Sequence, residues 1–437
     1  MKFKEKYIQT IMIIITIVMI ILRFLLNEKG RTNPDSIRFM RFAEGLPYID
    51  NTTTPLGYPA AIKLFTFIGL DEFWSSKLIG ILAYLFITIF TWRKNFFFRE
   101  TLITSALISF VSIYSYTMSE ALTLPFVVLL LYSAMLIINN KIVRWKGILY
   151  LSLSLIAIYN IRYIGLFVVG ATGLFGLLNW RKKFASSFVI SGIIGFLFII
   201  LYKLLFIDYF NENYVEQFLS IGLHSTPTLL LELIQGLMTT FNPFIHIANP
   251  SGGIINYGIY GVGAINLLFM LYLFFKEKIS LVESYLLTVG LSGIVCSFFI
   301  QYFYSVNPID YRLLAPFSLP IWLVYFRKLF ITFNTKIYII GFLSLLVGFI
   351  FSWLSKGNYL ENRRKMISFL ESENLKNETI LFYVDIEKPH QVKLAEIIST
   401  INPRIKTTYS SNDTLKRTTL TEYKVLQKIK IEKNKYQ

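Results

Sequence analysis

Two carboxylates and two guanidinium groups interrupt an otherwise apolar chain at places where charge is costly. Asp35 follows Asn33-Pro34 just past the first apolar run, and Ser119-Glu120 separates two such runs. Arg162 is isolated within Tyr159-Asn160-Ile161-Arg162-Tyr163, and Arg312 follows Asp310-Tyr311 ahead of Leu313-Leu314-Ala315-Pro316. Ionisable groups at such depth mark functional positions by default. A carboxylate can deprotonate a hydroxyl or amine, and guanidinium groups can hold charge that develops on a departing phosphate. Together they are the pieces needed to displace a phosphate leaving group. Plainer readings stand beside this one. Asp35 can complement a helix dipole, and either arginine can pair with Glu120 or Asp310.

The elements that must hold these groups follow from hydropathy. The 437 residues are 54% hydrophobic, 17% aromatic and only 16% charged, with a mean hydropathy of +0.56. Soluble domains carry roughly 25% charged residues, so a cytosolic enzyme, a disordered regulator and a secreted disulfide scaffold are excluded. The single cysteine, Cys296, allows no intramolecular disulfide and no metal site built on several cysteines. The net charge of +17 is not read as a nucleic-acid surface, because many basic residues cluster at the ends of apolar runs.

About 20 apolar residues span a bilayer as a helix. The runs 8–26, 75–92, 101–117, 121–138, 147–159, 163–180, 184–206, 257–275, 281–303, 311–326 and 336–355 give about 11 transmembrane helices in an all-α polytopic membrane protein. Lys2, Lys4 and Lys6 precede the first run. Arg93, Lys94 and Arg99 follow the second, Lys141, Arg144 and Lys146 the fourth, and Arg181 to Lys183 the sixth. Lys276 and Lys278 follow the eighth run, and Arg327 and Lys328 the tenth. Every second connection is short and basic, which places those connections and the N-terminus on the cytoplasmic side of a cytoplasmic (inner) membrane. The long connections 27–74 and 207–256 and the tail then face outward, with Asp35, Glu120, Arg162 and Arg312 on the same side. No charge is read deep inside a run apart from Arg23 and Lys203, near span ends from which both can snorkel.

In the first outer connection, Asn33 as N-cap, Pro34 at the first helical position and Gly45-Pro47 as a stop predict an amphipathic interfacial helix bearing Asp35. The turn Thr54-Pro55-Leu56-Gly57-Tyr58-Pro59 leads the chain back to the bilayer, with Tyr58 available to line a pocket. Segments 211–223 and 228–241 of the long connection read as interfacial helices able to cover a lipid-like substrate. Its two histidines, His224 and His246, are a weak metal signal. Residues 356–437 hold 16 Lys/Arg and 10 Asp/Glu, a surplus of six (16 − 10). A strand at Thr379–Val384 and helices at Pro389–Thr400 and Glu422–Ile431 predict a small α/β C-terminal domain after a 1–355 membrane domain.

These motifs, in their order and on one side, resemble those of the GT-C polytopic glycosyltransferases, in particular the protein O-mannosyltransferase and lipid A aminoarabinose transferase branch. An acidic residue follows span one on an interfacial helix (Asp35). Gly57-Tyr58-Pro59 is similar to the family's Pro-Gly-Tyr-Pro segment, and Ser119-Glu120 to its acidic residue after the third span. Arg162-Tyr163-Ile164-Gly165 resembles Arg-Tyr-x-Gly, and Tyr311-Arg312-Leu313-Leu314-Ala315-Pro316 a late Arg-Tyr-Leu-Leu-Pro element. The resemblance covers roughly residues 1–330. It implies a GT-C-like bundle that moves a sugar, with inversion, from a polyprenyl-phosphate donor to a glycan, lipid or protein acceptor at the outer face, among membrane lipids. Asp35 would be the base and Glu120 a second acidic residue. Tyr58, Arg162, Tyr163 and Arg312 would contact the substrate. Asp35 is followed by Ser36, so there is no Asp-x-Asp, which argues for chemistry without a metal or other cofactor.

Three other readings stay open. A transporter or flippase of lipid-linked sugar would show ionisable residues mid-span and a repeat. An O-antigen polymerase or ligase would carry its largest loop late in the chain. A structural membrane subunit needs no site at all.

Overall fold

The computed structural model describes residues 2–49, 54–212, 226–248, 252–304, 309–379, 381–385, 387–410 and 419–420. Among these, seven helical stretches are long and apolar enough to cross a membrane: Lys4–Leu25, Glu72–Lys94, Ser119–Ile138, Ala185–Phe210, Ile254–Lys276, Leu281–Phe303 and Ala315–Leu354. In chain order the helices begin with α1 (Lys2–Leu25), α2 (Pro34–Gly45), α3 (Gly57–Thr66), α4 (Glu72–Lys94), α5 (Phe98–Ala106) and α6 (Ile108–Ser115). They continue with α7 (Ser119–Ile138), α8 (Arg144–Ile161), α9 (Gly165–Leu178), α10 (Ala185–Tyr202, prolonged to Phe210), α11 (Thr226–Thr240) and α12 (Ile254–Lys276). The bundle closes with α13 (Leu281–Phe303), α14 (Ala315–Phe333) and α15 (Tyr338–Leu354).

Every predicted run is helical, but the run 101–117 is not one rod. It breaks at Leu107, whose ψ of 137° is extended, into two short helices whose residues from Thr101 to Ser115 are all buried. A break inside a bundle frees backbone groups that need partners. The Ile108 N–H donates to Ser344 Oγ at 2.8 Å, and that hydroxyl donates to the Pro243 carbonyl at 2.6 Å. With α14, buried throughout Ala315–Phe326, the broken pair forms the centre of the bundle. Close approach depends on Gly80 of α4, because a Cβ there would lie 1.9 Å from the Tyr114 carbonyl oxygen of α6.

The first long connection folds as sequence reasoning expects at its start. Asn33 Oδ1 accepts from the Ser36 N–H at 2.8 Å in a capping box, and α2 buries Phe39, Met40, Phe42 and Ala43. The expected turn Thr54-Pro55-Leu56-Gly57-Tyr58-Pro59 differs, since helix α3 begins at Gly57. Segment 211–223 and His224 lie almost wholly outside the described residues, whereas 228–241 forms α11. That helix packs into the bundle: Gln301 donates to Glu232 at 3.0 Å, and Gly236 approaches the Ile309 backbone.

Beyond residue 355 come α16 (Tyr359–Ser372), β1 (Leu381–Tyr383), α17 (Pro389–Ser399), β2 (Lys406–Thr408) and β3 (Thr419–Leu420), with a parallel sheet ordered β2-β1-β3. Helix α16 was not anticipated, and the segment Glu422–Ile431 lies outside the described residues. The apolar side chains of this region, including Met366, Leu370, Ile397 and Ile398, share one cluster with Met40 and Phe73. Ion pairs join it to the first connection: Lys29–Glu396 at 2.6 Å, Lys393–Glu28 at 2.8 Å, Arg404–Glu44 at 2.5 Å, and Arg363 with Asp71.

Candidate functional site

Three of the singled-out residues meet at one end of the bundle. Glu120 stands in the first turn of α7, and Arg162 leaves α8 in extended backbone. Arg162 Nη1 lies 3.1 Å from Glu120 Oε1 and 3.5 Å from the Arg312 carbonyl oxygen. The Glu120 side chain is 3% exposed, so the pair is buried, and each charge depends on the other. Arg312 pairs instead with Asp310, Nε to Oδ2 at 2.9 Å. Asp310 Oδ1 also accepts from the backbone N–H groups of Arg312 and Leu313, which fixes the turn. Burial alone would lower the affinity of the Arg312 guanidinium for its proton. Asp310, Tyr311 and Glu120 outweigh that and hold it firmly charged.

Tyr58 is fully buried, its ring edge-on to Phe39 at 5.2 Å. Burial, then the charge of Glu120, push its phenol well above the ordinary range. Neither the Tyr58 hydroxyl nor Glu120 Oε2 has a hydrogen-bond partner among the described residues. Tyr163 faces elsewhere, packing against Tyr159 at 5.3 Å and Tyr202 at 6.2 Å. Asp35 is half-exposed and pairs with Arg38 one turn on, at 3.2 Å. No ion pair or hydrogen bond among the described residues joins it to Glu120, Arg162 or Arg312.

Sequence reasoning passed over Arg31 and Lys77 and gave His246 and Arg23 other roles, a weak metal signal and a snorkelling cation, yet these groups complete the site. Arg31 Cζ lies 4.5 Å from the centroid of the Tyr116 ring, and Arg312 Cζ lies 5.5 Å from the same ring. Arg31 Nη2 is 3.4 Å from the Tyr311 hydroxyl, and the Tyr311 ring meets His246 at 4.2 Å. Arg23, expected to snorkel, instead donates into the bundle, to Ser112 Oγ at 3.1 Å and Ser352 Oγ at 3.0 Å. Lys77, three residues into a predicted run, is buried and donates to the carbonyls of Ser115 (3.0 Å) and Arg31 (3.3 Å). Burial, followed by the fields of Arg23, Arg31 and Arg312, drives the His246 imidazole well below its usual value, so it is neutral.

The backbone that presents Arg31 is specialised. Arg31 has a φ of 58°, a left-handed conformation that costs a residue with a Cβ about 1–2 kcal/mol. The loop pins it there. Asn27 Oδ1 accepts from the N–H groups of Lys29 and Arg31, and the Arg31 carbonyl accepts from the Thr117 N–H. Gly30, φ 63°, sits so tightly that a Cβ would lie 2.8 Å from Phe73 of α4 and from Tyr359 of α16. Such strain concentrates at functional positions.

Charge accounting shows what the site can do. Arg162 is matched by Glu120 and Arg312 by Asp310, while Arg23 and Arg31 have no carboxylate within 4 Å among the described residues. A partly buried pair of unmatched guanidinium groups, beside a neutral imidazole whose Nε2 has no partner among the described residues, is built to receive an anion. The positive-inside rule disfavours an outward arginine, Arg31 as much as Arg162. In sequence, however, Lys29-Gly30-Arg31 is indistinguishable from a solvated loop.

No family model matches the sequence, and no curated protein does. Solved structures similar in fold include two of an oligosaccharyltransferase from Archaeoglobus fulgidus. One is tethered to an acceptor peptide containing the NVT sequon (13% identity, TM-score 0.49, covering 93% of this chain and 64% of that one). The other is AglB in complex with an inhibitory peptide and a dolichol-phosphate (13% identity, TM-score 0.47, covering 92% and 64%). The chain thus spans somewhat less than two thirds of their length.

Proposed function

We propose that the chain is a membrane glycosyltransferase whose donor is a sugar on a polyprenyl phosphate, acting at the end of the bundle that holds Arg31, read as the outer face. The observation that carries this reading is the unmatched pair Arg31 and Arg23 beside the paired Arg162 and Arg312. Among the described residues four guanidinium groups meet two nearby carboxylates, Glu120 and Asp310, and the deficit suits a phosphate. Arg31 and Arg312, both lying against Tyr116, would hold the phosphate oxygens. The neutral His246 would offer a hydrogen bond without adding charge.

Asp35, four residues past Arg31 and half-exposed, is the base in this scheme. Its carboxylate takes the proton from the acceptor hydroxyl or amine, and the acceptor lone pair forms the bond to the anomeric carbon. The bond from that carbon to the phosphate oxygen breaks, and its electron pair leaves with the lipid phosphate. Attack opposite the leaving group inverts the anomeric centre. Glu120 holds Arg162 in place through their ion pair, and Tyr58 closes the floor beneath it. Residues 1–355 would form the catalytic membrane domain. Residues 356–437, tied by ion pairs to residues 28–71, would be a second domain that braces the Arg31 loop.

The test is transfer of label from polyprenyl-phosphate sugars to acceptors in membranes holding wild type, Arg31→Gln or Asp35→Asn at matched levels. Transfer by wild type alone supports the scheme. Transfer retained by Arg31→Gln removes its basis.

A further inference from the structure

The opposite end of the bundle contains a cavity of about 820 Å³ that the proposed reaction does not use. It lies between the first turns of α1 and the last turns of α4. The start of α5 and Arg327 of α14 complete its wall. Two kinds of side chain line it. Ile13, Ile89, Trp92 and Phe98 make an apolar flank, and Trp92 and Ile89 are 59% and 48% exposed. On a helix read as crossing the bilayer, that exposure opens the cavity sideways toward lipid.

The polar flank is cationic. Arg99 Nε pairs with Glu5 Oε1 at 2.7 Å, and its guanidinium covers the Phe330 ring at 4.4 Å. Arg327 is only 3.6 Å from Glu283 Oε1, which is held more closely by Lys328 at 2.7 Å. Lys6 has no ion pair among the described residues, and the second lining carboxyl, Glu100, is pushed up toward its neutral form by burial. The turn shaping the floor holds Asn95 and Phe97 in left-handed backbone, φ 48° and 47°, a conformation that phenylalanine rarely adopts.

We infer that this cavity binds one anionic phospholipid, its phosphate held by Lys6, Arg99 and Arg327 and an acyl chain laid along Ile89 and Trp92. The volume is that of a ligand pocket, far more than a free phosphate needs. Basic residues at this end match the anionic surface of the leaflet they face.

The probes are phosphatidylglycerol, phosphatidylcholine and inorganic phosphate, added to the full-length protein in detergent. Bound lipid is counted by native mass spectrometry and protection by thermal melting. The variants are Lys6→Gln/Arg327→Gln, which removes two charges, and Thr10→Trp, which fills the cavity and leaves every charge in place. Phosphatidylglycerol is expected to bind wild type with one tight equivalent and raise its melting temperature. Both variants should weaken that binding about tenfold or more, as loss of a charge-assisted contact implies. Inorganic phosphate should neither protect nor compete. Equal retention of the two lipids by wild type, undiminished phosphatidylglycerol binding by Thr10→Trp, or competition by inorganic phosphate would each overturn the assignment.

Discussion

Replacing Arg31 by glycine separates binding from stability, because the two respond in opposite directions. In water-excluded surroundings a guanidinium–phosphate contact at about 4 Å has a gross attraction of about 4 kcal/mol per unit charge at an effective dielectric of 20. Desolvation offsets part of it, leaving about 1.5–3 kcal/mol for a charge-assisted hydrogen bond. A loss of that size weakens a polyprenyl phosphate by about ten- to a hundredfold. The fold should barely respond. Glycine relieves about 1–2 kcal/mol of left-handed strain at φ 58°. Against that stands the stacking on Tyr116, worth about 0.5–2 kcal/mol, and a long 3.4 Å contact with Tyr311. Relief of repulsion from Arg23 and Arg312 adds to the gain. The assay is binding of a fluorescent polyprenyl phosphate to the protein in nanodiscs, with a thermal melt of the same sample. Weakened binding with an unchanged or raised melting temperature is expected. Unchanged binding with a melting temperature lowered by many degrees would make Arg31 a structural cation and refute the reasoning.

Other outcomes follow from the same geometry. Glu120→Gln leaves Arg162 buried without its carboxylate and should cost about 3–5 kcal/mol. Adding Arg162→Gln should restore much of it, as a double-mutant cycle by denaturant unfolding would report. Asp35→Asn should lower transfer by about 10²- to 10⁴-fold, while its exposed pairing with Arg38 limits the stability change to about 1 kcal/mol. Gly30→Ala should lower the melting temperature and weaken donor binding together, since its Cβ would strike Phe73 and Tyr359 and displace Arg31. His246 is held neutral when folded and takes a proton near 6.5 when unfolded, so unfolding gains a proton below that pH. Stability should therefore fall as pH drops below about 6.5. His246→Gln, facing the same Tyr311, Arg23, Arg31 and Arg312, should flatten that dependence in melts from pH 5 to 7.5.

The parts of the fold legible in sequence were those set by local rules. Apolar runs became helices, and Asn33-Pro34 capped α2 because capping and proline geometry act over three residues. The break at Leu107 was hidden, because its partner, Ser344, lies more than two hundred residues away. Helix α16 was missed because Tyr359–Ser372 is polar and gains its burial from α2 and α4. In the site, Glu120 and Arg162 stood out as charges amid apolar sequence, and they proved to be partners. Arg31 lies in a loop where charge is ordinary and His246 reads only as a weak metal signal, so it takes the fold that brings both to Tyr311 to show their place. Arg23 sits where a snorkelling side chain is common, and only Ser112 and Ser352 turn it inward.

The most direct measurement is sugar transfer from a radiolabelled polyprenyl-phosphate donor in membranes expressing wild type, Arg31→Gln and Asp35→Asn at equal levels. Label should move to a polar acceptor with wild type and fall at least tenfold with either variant. Label that moves equally with all three, or intact lipid-linked sugar that crosses the bilayer without transfer, would contradict the assignment of a glycosyltransferase built on Arg31 and Asp35.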